Sequence, residues 1–200
     1  VGAVLTASLI ISQPILAQDA ELSRAKQLWT QMSQLYRAGK PTEAIPLAKQ
    51  VLAIRERLLG QEDPDTAASL DDLAQIYRDA GEYTKGIAFA NKALAIRKKR
   101  LGLKDSDTAT SLNTLASLYR ITGAYEQAEP LYRQSLAILE EVKGHNAKET
   151  AAGLSNLATL YSATGEYAKA QSLYVQVLEI YEKVSGAWDL DTAIALNNLG

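Results

Sequence analysis

The sequence predicts an all-α fold, a stack of antiparallel helix pairs, and three observations carry that expectation. Two glycine series share one period: Gly60, Gly102, Gly144 and Gly186 stand forty-two residues apart, as do Gly39, Gly81, Gly123 and Gly165. Threonine, leucine and isoleucine columns keep the same spacing: Thr66, Thr108, Thr150 and Thr192; Leu28, Leu70, Leu112, Leu154 and Leu196; Leu52, Leu94, Leu136 and Leu178; Ile54, Ile96, Ile138 and Ile180. Between the glycines the apolar residues recur with a helical period, as in Leu70, Leu73, Ala74 and Tyr77 at i, i+3, i+4 and i+7. A fixed period of this length marks a repeat array, in which each unit buries its apolar face against its neighbours.

Within a unit, helix A is expected to start near Asp63 or Asp65, where Pro64 suits the first helical position and an aspartate can accept from the open N–H groups. It stops before Gly81, which can take the positive φ of a C-terminal cap. Helix B then runs from Glu82 or Tyr83 to Arg100, with Ile87, Ala90, Leu94 and Ile96 turned inward and Gly102 ending it. Lys98, Lys99 and Arg100 in its last turn suit the negative end of the helix dipole, so this run reads as a solvated face. Pro46 and Pro130 share a column early in helix B, where a proline removes one ladder bond and bends the helix locally.

The units fall at 22–60, 64–102, 106–144 and 148–186, with the start of a fifth at 190–200. The first is degenerate, as a terminal cap often is: Tyr77, Tyr119 and Tyr161 form a column in which it carries Leu35. Helix A reads L-x-x-L-A-x-x-Y, followed by the turn glycine and then Ala128 with Tyr132, or Ala170 with Tyr174, in helix B. These residues resemble the tetratricopeptide repeat, in the long-repeat subclass of kinesin light chains and of many bacterial scaffold proteins, exported cyanobacterial-type ones among them. The resemblance covers 22–200 and implies a right-handed α-solenoid. It departs from the family pattern where helix A carries leucine for the usual tryptophan, and where Gly86 replaces the small alanine of helix B and is expected to loosen packing.

Composition excludes much chemistry. An apolar share of 47% fits a folded chain, and a net charge of −2, from 21 basic and 23 acidic residues, selects neither nucleic acid nor an anionic membrane. Without cysteine there is no disulfide or thiolate site, and with His145 as the single histidine a multi-histidine metal centre is excluded. No phosphate loop, H-E-x-x-H or G-x-S-x-G occurs, so neither catalytic residues, cofactor nor metal are expected. His145 reads as a solvated loop residue, Asp71 with Asp72 and Glu140 with Glu141 as solvated pairs, and the tyrosine columns as core.

What remains is a binding surface. In the family that the sequence resembles, helix A residues not facing a neighbour line a concave surface that commonly holds a peptide. Carried over, the candidates are Arg37, Gln75, Arg78, Asn113, Arg120, Asn156 and Asn198, within a wider polar set of Tyr36, Asp71, Asp72, Thr114, Ser117, Ser155, Thr159 and Asn197. Asparagine can donate to and accept from a peptide backbone, and Arg78 with Arg120, one repeat apart, could hold a carboxylate. The expected function is a protein-binding scaffold with a protein or peptide partner. The alternatives are the regulatory arm of a larger enzyme, such as a caspase-like peptidase domain beyond residue 200, and a cargo-adaptor module.

Residues 1–17 are uncharged, apolar and end at a small-residue site, which reads as the later part of a secretory signal cleaved after Ala17, with Pro14 breaking its helix. The expected location is periplasmic or extracellular on that reading and cytoplasmic otherwise, with membrane contact only if the segment stays attached. The absence of an initiator Met, and an array cut inside a helix at Gly200, lead us to expect further sequence at both ends.

Overall fold

The computed structural model describes residues 2–185, with side chains from 17 to 184. The side chains of 1–16, part of the expected export segment, and all of 186–200, with the fifth unit and Asn198, lie outside the described residues. Among the described residues the regular structure is α-helical: α1 Gly2–Arg37, α2 Pro41–Leu59, α3 Pro64–Asp79, α4 Tyr83–Arg100, α5 Ser106–Ile121, α6 Tyr125–Lys143, α7 Lys148–Ala163 and α8 Tyr167–Ser185. By internal packing the chain divides into a first unit, Val1–Ile96, and a second, Arg97–Gly200.

Local chemistry sets the helix limits. Asp63 lies in extended conformation and its carboxylate accepts from the Asp65 N–H at 2.8 Å, with Pro64 next in the first turn; Asp105 does the same for Asp107. Ala147 starts α7 without a side-chain cap, which forgoes about 1 kcal/mol. Each A helix ends at a glycine of positive φ, 78° at Gly123, where the Ala124 N–H reaches back to the Tyr119 carbonyl at 2.8 Å and closes the helix. The threonine column fastens the loop between pairs: the buried hydroxyls of Thr66, Thr108 and Thr150 donate to the carbonyls of Gly60, Gly102 and Gly144 at 2.8, 2.8 and 2.7 Å.

One expectation is corrected at the N-terminus. α1 does not break at Pro14 but runs from Gly2 through it to Arg37, because a single proline deletes one ladder bond while the following turns keep theirs. Pro46 and Pro130 likewise lie inside α2 and α6.

In the first unit the core gathers Met32, Ala44, Ala48 and Leu52 of α1 and α2 against Leu70, Leu73, Ile76 and Tyr77 of α3, and Tyr77 stacks on Phe89 of α4 with ring centroids 5.5 Å apart. In the second, Tyr132 and Leu136 of α6 and Tyr174 and Val177 of α8 close on Leu154, Leu157, Leu160 and Tyr161 of α7. Burying one such leucine contributes about 1.5–3 kcal/mol. In α4, Ala90 and Leu94 are buried as expected and Ile87 and Ile96 half-buried, while Ala93 joins the core unforeseen. Tyr77, Tyr132, Tyr161 and Tyr174 are core residues. Gly86 is also buried.

Candidate peptide-binding face

In the second unit α5 and α7 lie side by side over α6. Half-buried Asn156 of α7 donates through Nδ2 to Oδ1 of half-buried Asn113 of α5 at 3.2 Å. Beside this bridge opens a cavity of about 340 Å³, with Asp107 and Asn113 on its α5 wall, Leu139 and Lys143 on its α6 floor, and Glu149 and Gly153 on its α7 wall. Thr114 and Thr159, by contrast, spend their hydroxyls on the carbonyls of Thr110 and Ser155, at 3.1 and 2.8 Å. Arg120 is half-buried in the last turn of α5.

The first unit has the same register. Trp29 of α1 donates through Nε1 to Asp72 of α3 at 2.8 Å, and this pair is spaced like Asn113 and Asn156, forty-three residues apart. Trp29 was not among the residues singled out in the sequence. Gln75 lines a recess of about 60 Å³ with Met32, Tyr36 and Asp72. Asp71 is not the solvated residue expected but is 3% exposed, although it shares its column with Trp29 and Asn113.

Arg78 is already engaged. Its Nε and Nη2 donate to the Asp79 carboxylate at 2.7 and 3.2 Å, and Nη2 also to the Tyr36 hydroxyl at 3.4 Å. Tyr36 in turn donates to Asp79. Burial, followed by the bond to the Asp79 carboxylate, pushes the Tyr36 hydroxyl up to about 12. Burial would raise the Asp79 carboxyl, but the hydrogen bonds from Arg78 and Tyr36 prevail and hold it below the usual range. The expected use of Arg78 as an open carboxylate fork is therefore corrected: an internal carboxylate one residue away occupies it. Arg37 is exposed at the end of α1 and shares the column of Asp79, not that of Arg78.

Beneath the face, the floor changes from pair to pair. Arg55 of α2 donates through Nη1 to the Asp65 carbonyl at 3.0 Å and to the Ser69 hydroxyl at 2.8 Å. Arg97, buried at the end of α4, makes the same contacts with Asp107 and Ser111 at 2.6 and 3.0 Å. One period later the column holds Leu139, and the serine column holds Gly153.

Other polar groups close on themselves. A hollow of about 400 Å³ beside Arg133, Tyr161 and Lys169 has its cations paired, Arg133 with Glu129 at 2.9 Å and Lys169 with Glu166 at 2.5 Å. His145 is an exposed loop residue, its Nδ1 3.5 Å from Glu140. Among the described residues no group of three His, Asp or Glu could hold a metal ion, and no helix is long and apolar enough to cross a membrane.

A tetratricopeptide repeat model matches residues 27–99, 72–141, 107–183 and 149–200 in overlapping segments. The chain belongs to the tetratricopeptide repeat family. Among solved structures, BtubC (BKLC) from P. vanneervenii superposes with a TM-score of 0.78 at 24% identity, over 96% of this chain and 75% of that one. A putative kinesin light chain of Podosopora anserina, with nearly identical TPR-like repeats, superposes with a TM-score of 0.74 at 26% identity, over 89% of this chain and 84% of that one. A search of curated proteins found no match. This tetratricopeptide protein is an all-α repeat solenoid of the kind that generally mediates protein–protein interaction.

Proposed function

We propose that this tetratricopeptide protein is a scaffold that holds a peptide segment of a partner along the α5 and α7 face of its second unit, with Asn113 and Asn156 fixing the peptide backbone. The observation that carries the reading is their bridge at the rim of the 340 Å³ cavity. The bridge uses one donor of Asn156 and one acceptor site of Asn113, which leaves each amide capacity for a backbone N–H or C=O. In the second unit Arg120 adds a cation at the end of α5, while Gln75 and Arg37 belong to the corresponding face of the first unit, where Arg78 is held by Asp79.

The test is to select linear peptides from a random display against the whole chain and measure their affinity for it and for Asn113→Ala/Asn156→Ala. Two lost hydrogen bonds of about 1 kcal/mol each weaken binding roughly 30-fold. Peptides that bind the double variant as tightly as the parent would remove the asparagine pair from the reading.

A further inference from the structure

We propose that the cavity over Leu139 is the seat of an arginine side chain from the bound peptide. This rests on the peptide-binding reading above and gives it a side-chain preference.

The repeats supply the internal comparison. At two of three equivalent places the chain fills this space with its own guanidinium: Arg55 on Asp65 and Ser69, Arg97 on Asp107 and Ser111. At the third, the arginine becomes Leu139 and the serine Gly153, while an acidic residue, Glu149, stays in the aspartate column. Two changes at contacting positions thus remove the guanidinium and the hydroxymethyl it bonds. Leu139 does not take up the whole volume: it closes on the bare Gly153, with a methyl 3.3 Å from where a Cβ would stand, and about 340 Å³ stays open. That volume lies at the lower end of small-ligand pockets, about 300–1,000 Å³.

What lines the opening suits a guanidinium. Two acidic residues, Asp107 and Glu149, and one basic residue, Lys143, are among those lining it. The Glu149 carbonyl is the counterpart of the Asp65 and Asp107 carbonyls that accept from Arg55 and Arg97. A planar fork can bond a carbonyl and a carboxylate together, which a lysine ammonium cannot do with the same geometry. Asn113 belongs both to the wall of the cavity and to the bridge with Asn156, so a peptide on those amides has the opening beneath it.

The experiment titrates ethylguanidinium, with propylammonium as control, into the whole chain while backbone amide NMR shifts are followed. A second arm compares display-selected, arginine-containing peptides with versions carrying norleucine in its place. Leu139→Arg/Gly153→Ser rebuilds the internal arginine of the other pairs and fills the seat; exposed Glu149→Gln removes one carboxylate without filling it. Expected are saturable shifts at Glu149 and Gly153 with ethylguanidinium only, lost in the filled chain and reduced in Glu149→Gln. Norleucine should cost about tenfold or more in the parent and nothing in the filled chain. Equal shifts with propylammonium, or equal affinity for both peptides in the parent, overturn the proposal. Peptides that depend on Asn113 and Asn156 but not on arginine leave the peptide face standing and remove the seat. Guanidinium shifts at Gly153 with no asparagine-dependent peptide keep the seat and remove the peptide face.

Discussion

Replacing Thr66, Thr108 and Thr150 together by valine tests the joint that repeats between helix pairs. The three side chains are fully buried, and valine keeps their branching, so no large cavity forms and the change isolates the hydroxyl. Each hydroxyl donates to a loop glycine carbonyl at 2.7–2.8 Å. The Gly60 and Gly144 carbonyls keep a second, longer bond from Asp63 and Ala147 at 3.4 and 3.3 Å, so the acceptors are not wholly orphaned. The loss at these two sites is therefore that of an ordinary net hydrogen bond, about 1 kcal/mol each, and at Thr108 at least as much. The three sites share no partner, so their effects add to about 3 kcal/mol. For a chain of this size that lowers Tm by about 6–12 °C. Thermal unfolding followed by far-ultraviolet circular dichroism measures it, with Thr110→Val as control, whose exposed hydroxyl only bonds back to Ser106 at 3.1 Å. A triple variant no less stable than that control would refute the reasoning.

Two further outcomes follow from single residues. Pro130→Ala restores an N–H inside α6 at an exposed position; alanine gains about 3 kcal/mol in helix propensity and returns up to about 1 through a looser unfolded chain, so urea unfolding should show a stability gain of about 2 kcal/mol, and a loss would mean that packing needs the bend. Tyr36 should ionise near pH 12 in the folded chain against about 10 unfolded. Its folded pKa is raised, so its stabilisation is complete below pH 10 and lost as pH climbs toward 12. Tyrosinate absorbance should lose a step near pH 12 in Tyr36→Phe, and that step should move down in Asp79→Asn; a lost step near pH 10 would contradict this.

The helix limits were legible because their causes are local. A proline after Asp63, and a glycine free to take positive φ after each A helix, act on the backbone within a few residues, and the period made each signal readable several times. The face was half legible. Asn113 and Asn156 were placed on one surface by their columns, and they meet. Arg78 was expected to offer a carboxylate fork, but Asp79 and Tyr36 occupy it; Asp71 was read as solvated and is buried. The signal that went unread is the joint exchange of Arg55 and Arg97 for Leu139 with that of Ser69 and Ser111 for Gly153. Arg97 sat unnoticed beside the basic run Lys98 to Arg100, where every cation suits a helix C-terminus.

By itself the sequence determined that the chain is a repeat of helix pairs, where the helices after α1 begin and end and most of the columns that enter the core, since period and backbone preference act along the chain. Only the tertiary structure decided which polar side chains are already spent and where a cavity remains. Those outcomes depend on partners brought together from different helices, such as Tyr36 with Asp79 or Leu139 with Gly153, and a column of polar letters looks the same whether or not a neighbour has claimed it.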